Sequence, residues 1–198
     1  ELLAAGHVFR SRTDTEVIVH GYEQWGAGVV TRLRGIFAFG LWDEREKRLL
    51  IARDRIGVKP VYYALRGAQI GFASEPRALL SAGIGSRTIE PSSMMQFLQR
   101  SYIHGSRSIW SGISRLPPAS ILVFEGASGV AKISKYWSTP MVDSAADLGR
   151  ATEEAEAILG EAVREQLVAD VPVGCFLSGG IDSSLICSFA AEHSPKIS

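Results

Sequence analysis

The chain has 198 residues, of which 46% are hydrophobic, and it carries 21 basic and 21 acidic side chains. A formal net charge of zero gives it no electrostatic reason to bind nucleic acid or an anionic membrane. No apolar run approaches the roughly 20 residues that span a bilayer, and no signal peptide opens the sequence. These features predict a soluble protein without a nucleic-acid or membrane partner.

Cysteines and histidines are few. The two cysteines, Cys175 and Cys187, form no disulfide framework, which is typical of proteins in the reducing cytoplasm. Cys175 is predicted to be a small buried residue rather than a reactive thiol. No ligand spacing and no acidic partners are evident for the four histidines, which are His7, His20, His104 and His193. No metal is therefore assigned to them.

The first predicted element is a helix that begins near residue 14. Thr13 and Glu16 have the S/T-x-x-E spacing of a capping box, which satisfies backbone N–H groups at the start of a helix. Asp14 lies between them in the first turn, where a carboxylate interacts favourably with the helix dipole. The residues alone therefore assign Asp14 a helix-stabilising role.

A β-hairpin is predicted over residues 36–54. Apolar residues occupy both alternating sets, and the charged run 43–48 turns the chain. Because both faces are apolar, we expect these strands to be covered on both sides. A rigid loop at 53–60 then leads to strands at 61–64 and 69–74. A layered sheet packed between helices accounts for this pattern.

The rest of the first part and the start of the second follow in order. A helix is predicted at 91–99, and strands at 120–125 and 131–137. The polar, proline-containing stretch 139–147 is the predicted linker. It precedes an amphipathic helix at 148–167, whose apolar residues recur at three- and four-residue spacing opposite most of its glutamates.

The most informative stretch is VPVGCFLSGGIDSSL, residues 171–185. Val173, Cys175 and Leu177 predict a short buried strand of a parallel sheet, and a helical pattern follows the turn. Strand, glycine-rich turn and helix place backbone N–H groups and the positive end of a helix dipole around one concavity, which suits phosphates. The turn lacks a lysine that could offset the negative charge of the phosphates. We therefore expect Mg²⁺ to offset part of that charge, with Asp182 as the carboxylate that holds the ion. An ordinary tight turn with Asp182 as a cap is the alternative.

The run SGGIDSS resembles the pyrophosphate loop of the ATP pyrophosphatase superfamily, which includes asparagine synthetase, argininosuccinate synthetase and GMP synthetase. Residues 33–64, LRGIFAFGLWDEREKRLLIARDRIGVKPVYYA, and 72–80, FASEPRALL, are similar to the second half of the glutamine amidotransferase domain of glutamine-hydrolysing asparagine synthetases. The resemblance implies an incomplete α+β layered sandwich of the Ntn-hydrolase type at 1–138. After the linker, it implies the first unit of an α/β parallel-sheet ATP-binding domain at 148–198.

The resemblance also implies an activity, that of a ligase forming a C–N bond. ATP and Mg²⁺ adenylate aspartate, and ammonia from glutamine converts it to asparagine, with release of AMP, pyrophosphate and glutamate. Asp14 would bind the α-amino group of glutamine, since a charge-assisted hydrogen bond distinguishes free glutamine from a peptide. The implied ATP-binding residues are Leu177, Ser178, Gly179, Gly180, Asp182, Ser183 and Ser184, with Asp182 as the Mg²⁺ ligand. The implied partners are glutamine, aspartate and ATP, and a homodimer is compatible with the resemblance.

The sequence departs from this family at its beginning. Residue 1 is Glu rather than the cysteine nucleophile, and the Asn-Gly-Glu segment that holds glutamine is absent, so no catalytic residue is assigned. We therefore expect a fragment of a longer reading frame that alone neither hydrolyses glutamine nor forms an amide. Three alternatives stay open: another amide-forming ligase of this architecture (β-lactam synthetase-like, or acting on a sugar acid or peptide), a non-catalytic relic, and a stand-alone ATP-binding module.

Overall fold

The computed structural model describes residues 1–141 and 147–194, and the chain divides into two compact units, Glu1–Thr139 and Pro140–Ser198. Residues 142–146 of the predicted linker lie outside the described residues. The helices of the first unit are α1 (Asp14–Trp25), α2 (Val29–Arg32), α3 (Pro76–Ser81) and α4 (Pro91–Arg100). Its strands are β1 (Ala38–Asp43), β2 (Arg48–Arg53), β3 (Tyr62–Arg66), β4 (Gln69–Ala73), β5 (Ser114–Arg115), β6 (Ser120–Glu125) and β7 (Val130–Lys135). The second unit contains α5 (Leu148–Gln166) and α6 (Ile181–His193).

Two antiparallel sheets form the centre of the first unit. One has the strand order β1-β2-β6-β7, and the other has the order β4-β3-β5. The predicted hairpin is confirmed, because β1 pairs with β2 from Ala38 opposite Arg53 to Asp43 opposite Arg48. The strands predicted near 61, 69, 120 and 131 and the helix from Pro91 are also present, with ends shifted by one or two residues.

The first unit has four layers. Ile51 and Leu122 of the first sheet share a core cluster with Leu116 beside the second sheet, so one core lies between the sheets. Val29 and Val30 of α2 pack on the opposite face of the first sheet. Helix α3 packs on the outer face of the second sheet in a third cluster. The layers therefore run helix, sheet, sheet, helix, a mixed α/β arrangement with antiparallel sheets.

The expectation that both strands of the first hairpin are covered on both faces is wrong for β1. Residues 50–53 of β2 are all buried, whereas β1 alternates and exposes Ala38, Gly40 and Trp42. Strand β2 has a neighbour on each side, but β1 is the edge strand, so the adjoining layers cover it only in part. Its exposed residues border the groove described below.

The second unit is a pair of packed helices. Phe189 of α6 lies against Gly160 of α5, where an added Cβ would be 3.5 Å from the phenyl Cδ1. The predicted helix α5 is confirmed, and the side chain of Asp147 caps it. Its apolar face is largely exposed, however, with Leu148 and Ile158 80% and 69% exposed. No described helix in either unit is both long and apolar enough to cross a membrane.

The predicted parallel strand at 173–177 is wrong for this structure. Residues 172–178 form no strand. The described part of the second unit contains no strand with which this segment could pair. A strand needs a neighbour to satisfy its backbone N–H and C=O groups in a ladder. Phe176 is completely exposed, whereas Val173 and Cys175 are half-buried. The segment nevertheless leads directly into the loop that precedes α6.

Candidate functional site

Asp14 begins helix α1 and is exposed. Thr13 is the N-cap, and its hydroxyl oxygen accepts a hydrogen bond from the Glu16 N–H at 3.4 Å. This half of the predicted capping box is confirmed. The Glu16 carboxylate accepts hydrogen bonds from the N–H groups of Arg10 and Ser11, both at 2.7 Å. Glu16 therefore connects the preceding segment to the helix. Asp14 takes no part in these hydrogen bonds.

These hydrogen bonds change the acidity of Glu16. The Ser11 hydroxyl and the Arg10 N–H, in that order, lower the pKa of Glu16 to about 2, because both donate to the charged carboxylate. Glu16 is therefore ionised at all but strongly acidic pH. It holds the start of α1 in place at neutral pH.

A groove of about 680 Å³ opens beside Asp14, between α1 and β1. Its polar lining consists of Asp14, Thr15, Lys59 and Ser74, and apolar side chains of α1 and β1 form most of the remaining wall. A carboxylate and an ammonium group on one groove suit a ligand that carries both charges, such as a free α-amino acid. The structure thus places Asp14 on the wall of this groove, and its role in binding glutamine stays a prediction.

Lys59 reaches this groove because its loop is rigidly held. The buried carboxylate of Asp54 accepts hydrogen bonds from the N–H groups of Gly57, Val58 and Lys59 at 2.7, 2.9 and 3.0 Å. The Arg53 guanidinium donates to the carbonyl oxygens of Gly57 and Lys59 at 2.5 and 2.7 Å. The predicted rigid loop is confirmed. The place of Lys59 in the groove was missed, because it depends on how distant strands pack.

Asp54 is charged in spite of its burial. Burial raises the pKa of Asp54, but the N–H groups of Lys59, Val58 and Gly57 and the neighbouring Arg53 together outweigh burial, so the pKa is lowered. Each of these groups stabilises the charged carboxylate. A charged Asp54 keeps all three N–H donors satisfied and fixes the path of the chain toward the groove.

The predicted phosphate-binding residues gather around the start of α6 in the second unit. The hydroxyl oxygens of Ser178 and Ser183 are 2.9 Å apart. The hydroxyls of Ser183 and Ser184 donate to the carbonyl oxygen of Gly180 at 3.0 and 2.8 Å. Four of the seven predicted ATP-binding residues therefore form one connected turn.

The remaining three residues, Leu177, Gly179 and Asp182, border this turn. Gly179 has a φ of +81°, which favours glycine, and nothing lies within 4 Å of the position a Cβ would take. Gly180 is the N-cap of α6, and no side chain caps the first turn. The first N–H groups of α6 are therefore available to an anion. Asp182 in that turn is exposed, and Leu177 is 65% exposed. This arrangement fits a polyphosphate, with the Asp182 carboxylate accessible to an accompanying Mg²⁺.

The two cysteines adjoin this turn. Both are half-buried free thiols. Burial, followed by the neighbouring Cys175, raises the pKa of the Cys187 thiol. A thiol with a raised pKa is a poor nucleophile near neutral pH, so Cys187 is not suited to attack a substrate.

The sequence-based statement that the histidines lack acidic partners is wrong for His20. Its Nδ1 is 2.9 Å from Glu23 Oε2, and its Nε2 is 3.6 Å from Glu16 Oε1. His7 also joins this group from the segment before α1. The spacings i, i+3 and i, i+4 along α1 were the signal that could have revealed the acidic partners.

Comparison with known proteins identifies the family. Residues 1–137 match the model described as a glutamine amidotransferase domain. The chain therefore belongs to the glutamine amidotransferase domain family. Residues 154–198 match the model described as asparagine synthase.

The matches to individual relatives cover both units of the chain. Asparagine synthetase [glutamine-hydrolyzing] 3 of Bacillus subtilis is 38% identical over 198 residues, covering 99% of this chain and 32% of the relative. A putative asparagine synthetase [glutamine-hydrolyzing] of Mycobacterium bovis is 34% identical, covering 97% of this chain and 30% of the relative. Among solved structures, a glutamine phosphoribosylpyrophosphate amidotransferase from B. subtilis aligns with a TM-score of 0.48 and 16% sequence identity. The alignment covers 99% of this chain and 40% of the amidotransferase chain. The chain spans about a third of the length of the curated relatives it matches.

Proposed function

We propose that the chain supplies the glutamine-binding groove and the beginning of the ATP-binding site of a glutamine-dependent asparagine synthetase. The observation that carries this proposal is that exposed Asp14 and Lys59 line one groove of about 680 Å³, within the unit that matches the amidotransferase family. The helix, sheet, sheet, helix layers support an Ntn-hydrolase-type sandwich for that unit.

In the first unit, glutamine binds as a zwitterion. Asp14 accepts hydrogen bonds from the α-ammonium group, and Lys59 offers a cation for the α-carboxylate. Arg53 and Asp54 hold Lys59 in place through the loop they fasten. The thiol that attacks the glutamine amide is assigned to a part of the intact protein outside this sequence, because both cysteines here lie in the second unit.

In the second unit, the turn at 178–184 receives the phosphates of ATP. The N–H groups at the start of α6 and the Ser178 hydroxyl hold phosphate oxygens, and Asp182 holds Mg²⁺. Mg²⁺, when bound, offsets the negative charge on the pyrophosphate leaving group. The exposed apolar residues of this unit, such as Ile158 and Phe176, support the proposal that further parts of a synthetase domain cover it.

The two units therefore have separate tasks, which a substitution in one unit tests. In the intact protein, Asp182→Asn abolishes formation of asparagine and AMP from aspartate, ATP and glutamine, because the Mg²⁺ ligand is weakened. Glutamate release from glutamine alone stays within about twofold of the wild type. Glu192→Gln, a change of another exposed acid on the same helix, is the control and leaves both activities intact.

Equal loss of both activities in Asp182→Asn would contradict this division. AMP release with an acceptor other than aspartate would retain the ligase architecture but overturn the assignment of aspartate as substrate.

A cytoplasmic location and assembly as a homodimer are further parts of the proposal. Cell fractionation tests the location, and light scattering on the purified protein tests the assembly.

A further inference from the structure

Three side-chain atoms meet at one point on the surface of the first unit, at a cluster formed by His7, His20 and Glu23. His7 Nδ1 is 3.2 Å from His20 Nδ1, His20 Nδ1 is 2.9 Å from Glu23 Oε2, and His7 Nδ1 is 3.7 Å from Glu23 Oε2. A tetrahedral ion with bonds of about 2.0 Å to nitrogen and oxygen keeps its ligand atoms about 3.3 Å apart. The three distances bracket that spacing.

The outer nitrogens of both rings already have partners. His7 Nε2 donates to Gln24 Oε1 at 3.1 Å, and His20 Nε2 faces Glu16 Oε1 at 3.6 Å. The Glu23 carboxylate can only accept, so without an ion His20 Nδ1 carries the proton that it donates to Glu23 Oε2 at 2.9 Å. A cation that takes the place of this proton would contact His7 Nδ1, His20 Nδ1 and the Glu23 carboxylate together.

We propose that His7, His20 and Glu23 bind a divalent transition-metal ion of the Zn²⁺ class. Two imidazoles and one carboxylate form the ligand set of a three-residue zinc site, in which solvent takes the fourth position. The hydrogen bond of His7 Nε2 to Gln24 is an outer contact of the kind that usually orients metal-binding histidines, and Glu16 Oε1 lies 3.6 Å from His20 Nε2. The side chains are 15%, 20% and 57% exposed for His7, His20 and Glu23, so the ion has access from solvent.

The site joins two segments of the chain. His20 and Glu23 belong to α1, and His7 lies in the segment that precedes it. A bound ion therefore cross-links that segment to α1, in addition to the hydrogen bonds of Glu16. His7, His20 and Glu23 are not among the residues that line the groove or form the phosphate turn, so the inference does not depend on the proposed function.

Titration with Co²⁺ and Zn²⁺ tests the site on the 198-residue protein. Both cysteines are first changed to serine, because neighbouring thiols also bind these ions. We expect one ion per chain, a visible Co²⁺ spectrum typical of four nitrogen and oxygen ligands, and a higher melting temperature with Zn²⁺. His7→Gln weakens binding at least tenfold, and Gln24→Ala weakens it by about tenfold through the outer hydrogen bond. His104→Gln is the control and leaves binding unchanged.

The half-exposed Glu23 provides a second test in case His7→Gln disturbs folding. Glu23→Gln keeps the shape of the side chain and weakens Zn²⁺ binding at least tenfold. Absence of a four-coordinate Co²⁺ spectrum and of a melting shift with Zn²⁺ would overturn the proposal. Equal affinity in wild type and Glu23→Gln would overturn it as well.

Discussion

At the residue scale, neighbouring carboxylates at the start of α1 have different tasks. Glu16 accepts two backbone hydrogen bonds at 2.7 Å and one from the Ser11 hydroxyl, and its pKa is lowered to about 2. Asp14, two residues earlier, is exposed on the groove. The S/T-x-x-E pattern predicted the cap correctly. It did not reveal that Glu16 fastens residues 10 and 11, because that contact depends on the path of the preceding segment.

Glu16→Gln is expected to make the first unit less stable in a pH-dependent way. A lowered pKa means that the Glu16 carboxylate stabilises the folded state above pH 4.5, its ordinary pKa, and that this contribution is lost as the pH falls toward 2. The stability difference between wild type and variant is therefore largest near neutral pH and shrinks between about pH 4.5 and 2.

Urea unfolding followed by tryptophan fluorescence measures this difference, because all four tryptophans lie in the first unit. Glu46→Gln is the matched control, as Glu46 is exposed in the turn between β1 and β2. A difference that stays constant from pH 7 to pH 3 would show that the Glu16 charge has no part in the contact.

At the element scale, local patterns predicted the antiparallel hairpins and not the parallel strand. Strands β1 and β2 are joined by a short turn, so alternation and the charged run suffice to identify the pair. A strand at 173–177 requires a neighbour from elsewhere in the chain, which the described residues do not provide. The groove could not be predicted from local patterns, since Asp14 and Lys59 come to line one groove only through the packing of α1, β1 and the loop at 54–60.

That loop depends on a glycine that lies close to other groups. Gly57 has a φ of +74°, and an added Cβ would lie 2.8 Å from Pro118 Cγ and 3.0 Å from Arg53 Cζ. Gly67, in the β3–β4 turn, has a φ of +59° with nothing within 4 Å. The two positions share the left-handed conformation and differ in the space available.

Gly57→Ala is therefore expected to destabilise the first unit more than Gly67→Ala. Backbone strain costs about 1–2 kcal/mol at either position. The contact with Pro118 and Arg53 adds about 1–3 kcal/mol at Gly57 only. Urea unfolding of the two variants measures the difference, and equal losses would show that the Arg53 and Pro118 side chains move aside without cost.

At the scale of the whole molecule, the two units carry different parts of one proposed reaction. The first unit has a groove lined by Asp14 and Lys59, proposed to bind a free amino acid, and the second has an uncapped helix start, proposed to bind phosphates. The grouping of residues 178–184 around the start of α6 was predictable because they are close in the sequence, and their binding of phosphates stays a prediction. The division of labour was predictable only through the family resemblance, which the matches at 1–137 and 154–198 support.

The central claim is that Asp14 binds glutamine, and Asp14→Asn in the intact protein tests it most directly. The amide keeps the size of the side chain but loses the charge that attracts the α-ammonium group. Asparagine formation is measured with glutamine or with free ammonia as the nitrogen source. The account predicts that KM for glutamine rises at least tenfold, while the ammonia-supported rate stays within about twofold of the wild type. An unchanged KM for glutamine would contradict it.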